Sequence, residues 1–231
     1  MARTASTPFH VGLTPERITD AAVELTRESH LLTWSVRDLA ARLGVAPSVI
    51  YHHVGGKDLV CRRVVESVIS LIELPPLELS WQEWFRELLY GIGPLAESYP
   101  GVAKWMIMHG PTIPAALPTL EAGMAVLERA GFGDQTAFAY ALLLNNAMLT
   151  ISISDDRLEH EGDGPRDHAS MMTEFEQMPT ASAAVRAMGR ELMRPFAEGG
   201  ETAARIREAY YRFVIDTTID GLGAALERDT R

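Results

Sequence analysis

Apolar residues recur at three- and four-residue spacing almost throughout the 231-residue chain, and strand-like alternation is nowhere evident, so the pattern predicts an all-α protein. Thr14 is placed to cap a first helix with Pro15 at its first position, running to about Leu31. Val36, Leu39, Ala40 and Leu43 then share one helix face that must be buried. Gly44 supplies the positive φ that ends that helix, and Pro47 opens another without needing its own N–H. In this short second helix Val45, Ile50 and Val54 turn inward, leaving Pro47, Ser48, Val49, Tyr51, His52 and His53 outward. Two short helices joined by so few residues read as a helix-turn-helix, with the second laid out to enter a groove.

Further on, Lys57 opens a helix carrying Leu59, Val60, Val64, Val65, Val68, Ile69, Leu71 and Ile72, expected to run to about residue 74. It is too apolar to serve the head alone and should bridge to a larger body, ending before Pro75 and Pro76. Ser80 and Glu83 make a capping box for the next helix. Residues 101–109 form a short apolar segment, residues 115–130 a helix ending at Gly131, and Asp134 can cap a stretch reaching about Ser154. Residues 201–226 read as a long final helix. The sequence DDRLEHEGDGPRDH after Ser154 reads as a mobile loop with a short helix following it. The polar start, residues 1–12, has no period.

Residues 14–60 carry, in order, LTPERITDAAVELTRE, VRDLAARLGV, a turn, YHH and a Lys-Asp after Gly-Gly. This order and spacing resemble the DNA-binding domain of the tetracycline-repressor (TetR) family of transcriptional regulators. The resemblance implies an N-terminal three-helix helix-turn-helix head, residues 1–60, and a larger C-terminal helical ligand-binding and dimerisation body, residues 61–231. Tyr51 and Lys57 match positions that commonly touch backbone phosphate, and His53 one that often faces it. Ser48, Val49 and His52 project where base edges are read; serine bonds either base type and valine meets a thymine methyl. Arg37 is open to guanine, to phosphate or to a neighbouring acid, whereas Pro47 shapes the helix start. Ser35 suits a helix cap, and phosphate as well. Departures from the family pattern fall at Ala46, Ile50 and Val54, and alanine cannot cap, which costs about 1 kcal/mol at such a helix start.

Charge at first looks wrong for a polyanion binder, because the chain carries −10 overall. Residues 1–63 hold eight Lys/Arg against six acids, leaving +2, and the remainder holds 13 against 25, leaving −12. Distant acids are screened beyond roughly 8 Å at physiological salt. A +2 head is still a thin electrostatic footprint, so affinity must rest on placed contacts and on pairing two heads over a palindromic operator. An architectural DNA binder without an effector, and a small-molecule or protein-interaction module that keeps the fold but has lost DNA affinity, remain open on these grounds.

Residues 135–154 contain no charged side chain. Such a helix is long enough to span a membrane, but Asn145, Asn146, Thr150, Ser152 and Ser154 favour burial in a core or an oligomer interface. In the family resembled, this helix and the last one form a four-helix homodimer interface, here the helices at about 134–154 and 201–226.

A body rich in aromatic and sulfur side chains has the composition of an apolar effector pocket. Trp81, Trp84, Trp105, Met106, Met148 and Phe175 are candidate walls, each also a natural core residue. Asn145, Asn146 and His109 are candidate polar anchors; an Asn equally suits a helix-pairing bond, and His109 equally suits solvent. The expected effector is small and largely apolar. No phosphate loop, nucleophile elbow or HExxH motif is present, so neither enzyme activity nor a cofactor is expected. No metal site is expected either, since His160 and His168 lack a second ligand pair at helical spacing. The lone Cys61 reads as core filler, and the absence of an apolar leader points to a cytoplasmic protein.

Overall fold

The computed structural model describes residues 12–159, 168–176, 178, 182–195 and 200–229, and these are helical with no strand among them. The head is built from α1 (Pro15–Glu28), α2 (Val36–Leu43) and α3 (Pro47–Val54), with α4 (Lys57–Ile69) leading away. Thr14 accepts the Arg17 N–H, and Ser35 and Asp38 form a reciprocal capping box on α2. Gly44 ends α2 at φ 67°. The start of α3 has Ala46 and no side-chain cap. Ile18, Leu39, Ile50 and Val60 are fully buried in the head core.

Helix α4 is shorter than its apolar pattern predicts, since residues 70–74 leave the helix. The Ser70 hydroxyl donates to the Glu66 carbonyl at 2.8 Å, and the next amides close tighter turns, Leu71 to Val68 and Ile72 to Ile69. Serine back-bonding competes with helix propagation, and Pro75 pushes the residue before it out of the helical region.

The body comprises α5 (Trp81–Glu97), α6 (Val102–His109), α7 (Leu117–Ala130), α8 (Thr136–Glu159), α9 (His168–Glu176), α10 (Ala183–Met188) and α11 (Gly200–Asp229). Helix α8 runs through residues 155–159, placed by pattern in a loop, so the charged sequence starts on the helix. A wider helical turn, Gly189–Met193, continues α10; nothing in the sequence pattern pointed to this segment. The candidate ligand His160 lies outside the described residues, as does the side chain of His168.

Two apolar clusters hold the molecule. One joins the head to Tyr99, Val102, Trp105, Ile113 and Ala116. The other packs α5, α7, α8 and α11 around Trp84, Phe85, Leu89, Leu143 and Ile215. Polar clasps lock α5 to α11: Arg86 and Tyr90 each donate to the Asp216 carboxylate at 2.8 Å, and the Tyr211 hydroxyl donates to the Leu89 carbonyl at 2.7 Å.

Among the described residues, helix α8 is the one candidate membrane span by length and composition, residues 133–155. Its inward stripe, Ala139, Leu143, Ala147 and Ile151, lies in the core, whereas Phe138, Leu142, Leu149 and Ile153 stand exposed.

The Ser80–Glu83 capping box on α5 gives a simple stability test. The Ser80 hydroxyl and N–H both donate to the Glu83 carboxylate and hold its pKa below the usual carboxylate value. A depressed carboxylate adds stability that is present above its unfolded pKa and lost as pH falls through its folded one. Ser80→Ala should lower urea-unfolding stability by about 1 kcal/mol at neutral pH. The gap to the native chain should narrow below about pH 4.5; a gap unchanged down to pH 3 would reject the assignment.

Candidate DNA-reading face and effector cavity

On α3 the side chains of Pro47, Ser48, Tyr51 and His52 are exposed, while Val49 and His53 are half-buried. The short period of α3 produces this: Ile50 and Val54 face the head core, so residues between them must face out. Tyr51 is 55% exposed and its hydroxyl has no partner among the described residues. The His52 and His53 rings meet edge to face, 5.7 Å between centroids. Arg37, at the start of α2, is exposed and forms no ion pair among the described residues, so of the alternatives open to it the intramolecular one is not taken. Arg42, by contrast, is held by Glu28.

Lys57 differs from a free surface lysine. Its ammonium donates to the Leu32 carbonyl at 2.6 Å and lies 5.0 Å from the centre of the Trp34 ring. Two of its three donors remain for a phosphate. The same side chain therefore ties the start of α4 to the turn between α1 and α2.

Between α4, α5, α6, α7 and α8 lies a cavity of about 310 Å³, at the small end of the ~300–1,000 Å³ range of drug-sized sites. Of the residues picked from sequence, Met106, Asn145 and Met148 line it. The other five sit elsewhere. Trp81 packs edge to face on Phe132. Trp84 is fully buried and its indole N–H donates to the Pro75 carbonyl at 3.1 Å. Trp105 belongs to the cluster joining head and body, and His109 stacks on it at 4.2 Å on the exposed side. Phe175 lines a separate cavity of about 760 Å³ between α8, α9 and α11, which also contains Glu174 and Arg207. Asn146, the remaining anchor candidate, faces α11 and donates to Thr218 at 3.0 Å.

Sequence reasoning missed several cavity walls: Val68, Ile69 and Ile72 from the end of α4 and the segment after it, Thr119 on α7, and Tyr140 on α8. Tyr140 was findable, because it stands one and two turns before Leu144 and Met148 on the same helix face. Gly123 on α7 makes room for it; a Cβ there would lie 2.6 Å from the Tyr140 ring. Burial pushes the Tyr140 phenol up to about 12, so it stays protonated.

The head is seated on the body at the turn between α5 and α6. The Leu31 N–H donates to the Pro100 carbonyl at 2.9 Å, and the Arg27 guanidinium sits 5.2 Å from the Tyr99 ring centre. Gly101, at φ 87°, donates its N–H to the buried Asp155 of α8 at 2.9 Å, and a Cβ on it would fall 2.5 Å from the His30 ring.

The all-helical body that carries this head matches, over residues 74–199, the model of the tetracyclin repressor-like C-terminal domain. The chain belongs to the tetracycline repressor-like family. A helix-turn-helix-type transcriptional regulator of Saccharopolyspora erythraea is 28% identical over 138 residues, 59% of this chain and 58% of that protein's length. Among solved structures, ActR of Streptomyces coelicolor in complex with actinorhodin has a TM-score of 0.65 at 21% identity, covering 92% of this chain and 98% of that one. TetR from Acinetobacter baumannii AYE has a TM-score of 0.63 at 21% identity, covering 93% and 98%. At such identity these two establish the fold: a tetracycline-repressor head on an all-α body.

Proposed function

We propose that this tetracycline repressor-like protein is a homodimeric, ligand-responsive transcriptional repressor that reads a palindromic operator with α3 and is released by a small, largely apolar effector. The observation that carries the effector half is the position of the cavity, whose wall includes the C-terminal end of α4, the helix whose first residue is tied to the head through Lys57 and Leu32. A ligand that presses Val68, Ile69 and Ile72 outward tilts α4 and changes the spacing of two heads. That spacing must match the ~34 Å repeat of the major groove. A coupling of ~1–3 kcal/mol changes operator occupancy by one or two decades.

Pairing is supported by an exposed apolar stripe on α8 and a matching one on α11 with Tyr210 and Phe213. Between them runs a shallow groove floored by Asn146, Val214 and Thr218. The stripes would close as a four-helix seam with a second copy.

Gel shift and footprinting on the DNA flanking the gene, with and without extracts of the producing cells, test the reading. Release by an extract is the expected result; protection that no extract relieves would remove the effector, and no protected palindrome would remove the operator. Tyr51→Phe combined with Arg37→Ala changes two exposed side chains without internal partners. Operator affinity should fall at least about tenfold with the unfolding midpoint unchanged; unchanged affinity would reject this contact set.

A further inference from the structure

The α4–α8 cavity has a lining that specifies its ligand further than size does. Every residue on its wall is uncharged. Aliphatic and thioether groups dominate, among them Val68, Ile72, Met106, Leu144 and Met148. The side-chain polar atoms in it belong to Thr119, Tyr140 and Asn145, and none of the three has a hydrogen-bond partner among the described residues. The second cavity is different, because Glu174 and Arg207 stand on its wall.

A charged group brought into an apolar cavity loses its hydration and finds no counter-charge here, which is prohibitive beside a neutral analogue. A purely hydrocarbon ligand has the opposite fault. It would cover the Tyr140 hydroxyl and the Thr119 and Asn145 groups without bonding them, and a buried polar group left unsatisfied is costly. Discrimination by such groups is stronger than discrimination by apolar shape. The phenol is a donor throughout the accessible pH range because burial opposes its ionisation, and Thr119 and Asn145 supply further donors. A ligand that satisfies them offers acceptor oxygens.

We infer that the cavity between α4 and α8 takes an uncharged, compact ligand carrying a carbonyl-type acceptor, of the ketone, quinone or lactone class, with the Tyr140 hydroxyl as its principal hydrogen-bond donor. The inference rests on the cavity being the effector site, and it excludes carboxylate and ammonium effectors from that site.

The probes are a matched pair on one skeleton: 6-propionyl-2-(dimethylamino)naphthalene, a neutral ketone whose emission reports apolar burial, and 6-(dimethylamino)-2-naphthoate, its carboxylate counterpart. The full chain should bind the ketone with a blue shift and bind the carboxylate at least about a hundredfold more weakly. Tyr140→Phe, which keeps the ring against Gly123, should weaken the ketone about tenfold. Asn145→Leu, close in volume, provides a second variant should the first perturb folding. Phe175→Leu, on the other cavity, should leave ketone binding unchanged.

Equal or tighter carboxylate binding overturns the inference, as does ketone binding that ignores both Tyr140→Phe and Asn145→Leu. Failure of the full chain to bind the ketone also overturns it. These outcomes are separate from release of the operator by cell extract. An extract that releases DNA while the ketone fails keeps an effector-controlled repressor and removes the ligand class; a ketone that binds while no ligand or extract affects DNA does the reverse.

Discussion

Replacing Gly101 by alanine is expected to cost the protein about 2–4 kcal/mol and to lower its thermal midpoint by roughly 10 °C. Two independent effects add at this position. The backbone sits at φ 87°, where an L side chain is strained, and the new methyl carbon would stand 2.5 Å from the His30 ring. His30 is buried at the end of the α1 turn and has little room to retreat. Gly91→Ala is the matched control: it lies within α5, and an added Cβ meets nothing within 4 Å. That change should raise stability by about 0.5–1 kcal/mol through helix propensity. Calorimetry or urea unfolding on both variants decides the matter, and a Gly101→Ala chain within 0.5 kcal/mol of native would show that the α5–α6 turn yields. Because this turn also carries Pro100 and Tyr99 against the head, operator affinity should fall with stability in Gly101→Ala and hold in Gly91→Ala.

The second large effect concerns pairing. A chain carrying Phe138→Arg and Phe213→Arg should sediment as a monomer and bind operator at least about a hundredfold more weakly. Phe138 is 78% exposed and Phe213 66% exposed within one chain, so neither holds the monomer together, and a folded monomer with native helicity is expected. Each arginine must then be desolvated if the seam is to form. Loss of the partner removes the second half-site, which a tethered head otherwise engages at roughly millimolar effective concentration. A variant that still sediments as a dimer would move the seam away from the α8 and α11 stripes.

The head was the most legible part of the molecule from sequence, and the reason is local. Caps at Thr14 and Ser35 and the turn at Gly44 in the head, like the cap at Ser80 in the body, are each decided within four residues, so the sequence pattern placed them where the structure has them. The overrun of α4 past Ile69 and the early end assigned to α8 are both errors of extent, where a continuing apolar or charged run outweighed the hydrogen bonds that terminate or extend a helix. Cavity walls were harder. Periodicity reports that a side chain faces inward, and Trp84 and Met148 satisfy that test equally. Only the relative placement of five helices decides that the first fills the core while the second leaves space beside it. Polar residues followed the same rule: Asn145 and Asn146 are neighbours in sequence, yet one faces the cavity and the other donates to Thr218.

Helix α8 bears three duties on one rod. Its outer face carries Phe138, Leu142, Leu149 and Ile153, its cavity face carries Tyr140, Asn145 and Met148, and Asp155 near its end grips the turn that seats the head. Substitutions there are pleiotropic, since a rotation that suits a new ligand also disturbs the outer stripe and the head. Walls with a single duty, such as Ile107 on α6 and Leu120 on α7, carry no such burden. Divergence of ligand preference between relatives should accumulate on α6 and α7 while α8 drifts slowly, which makes those two helices the place to begin when retargeting this protein to a chosen molecule.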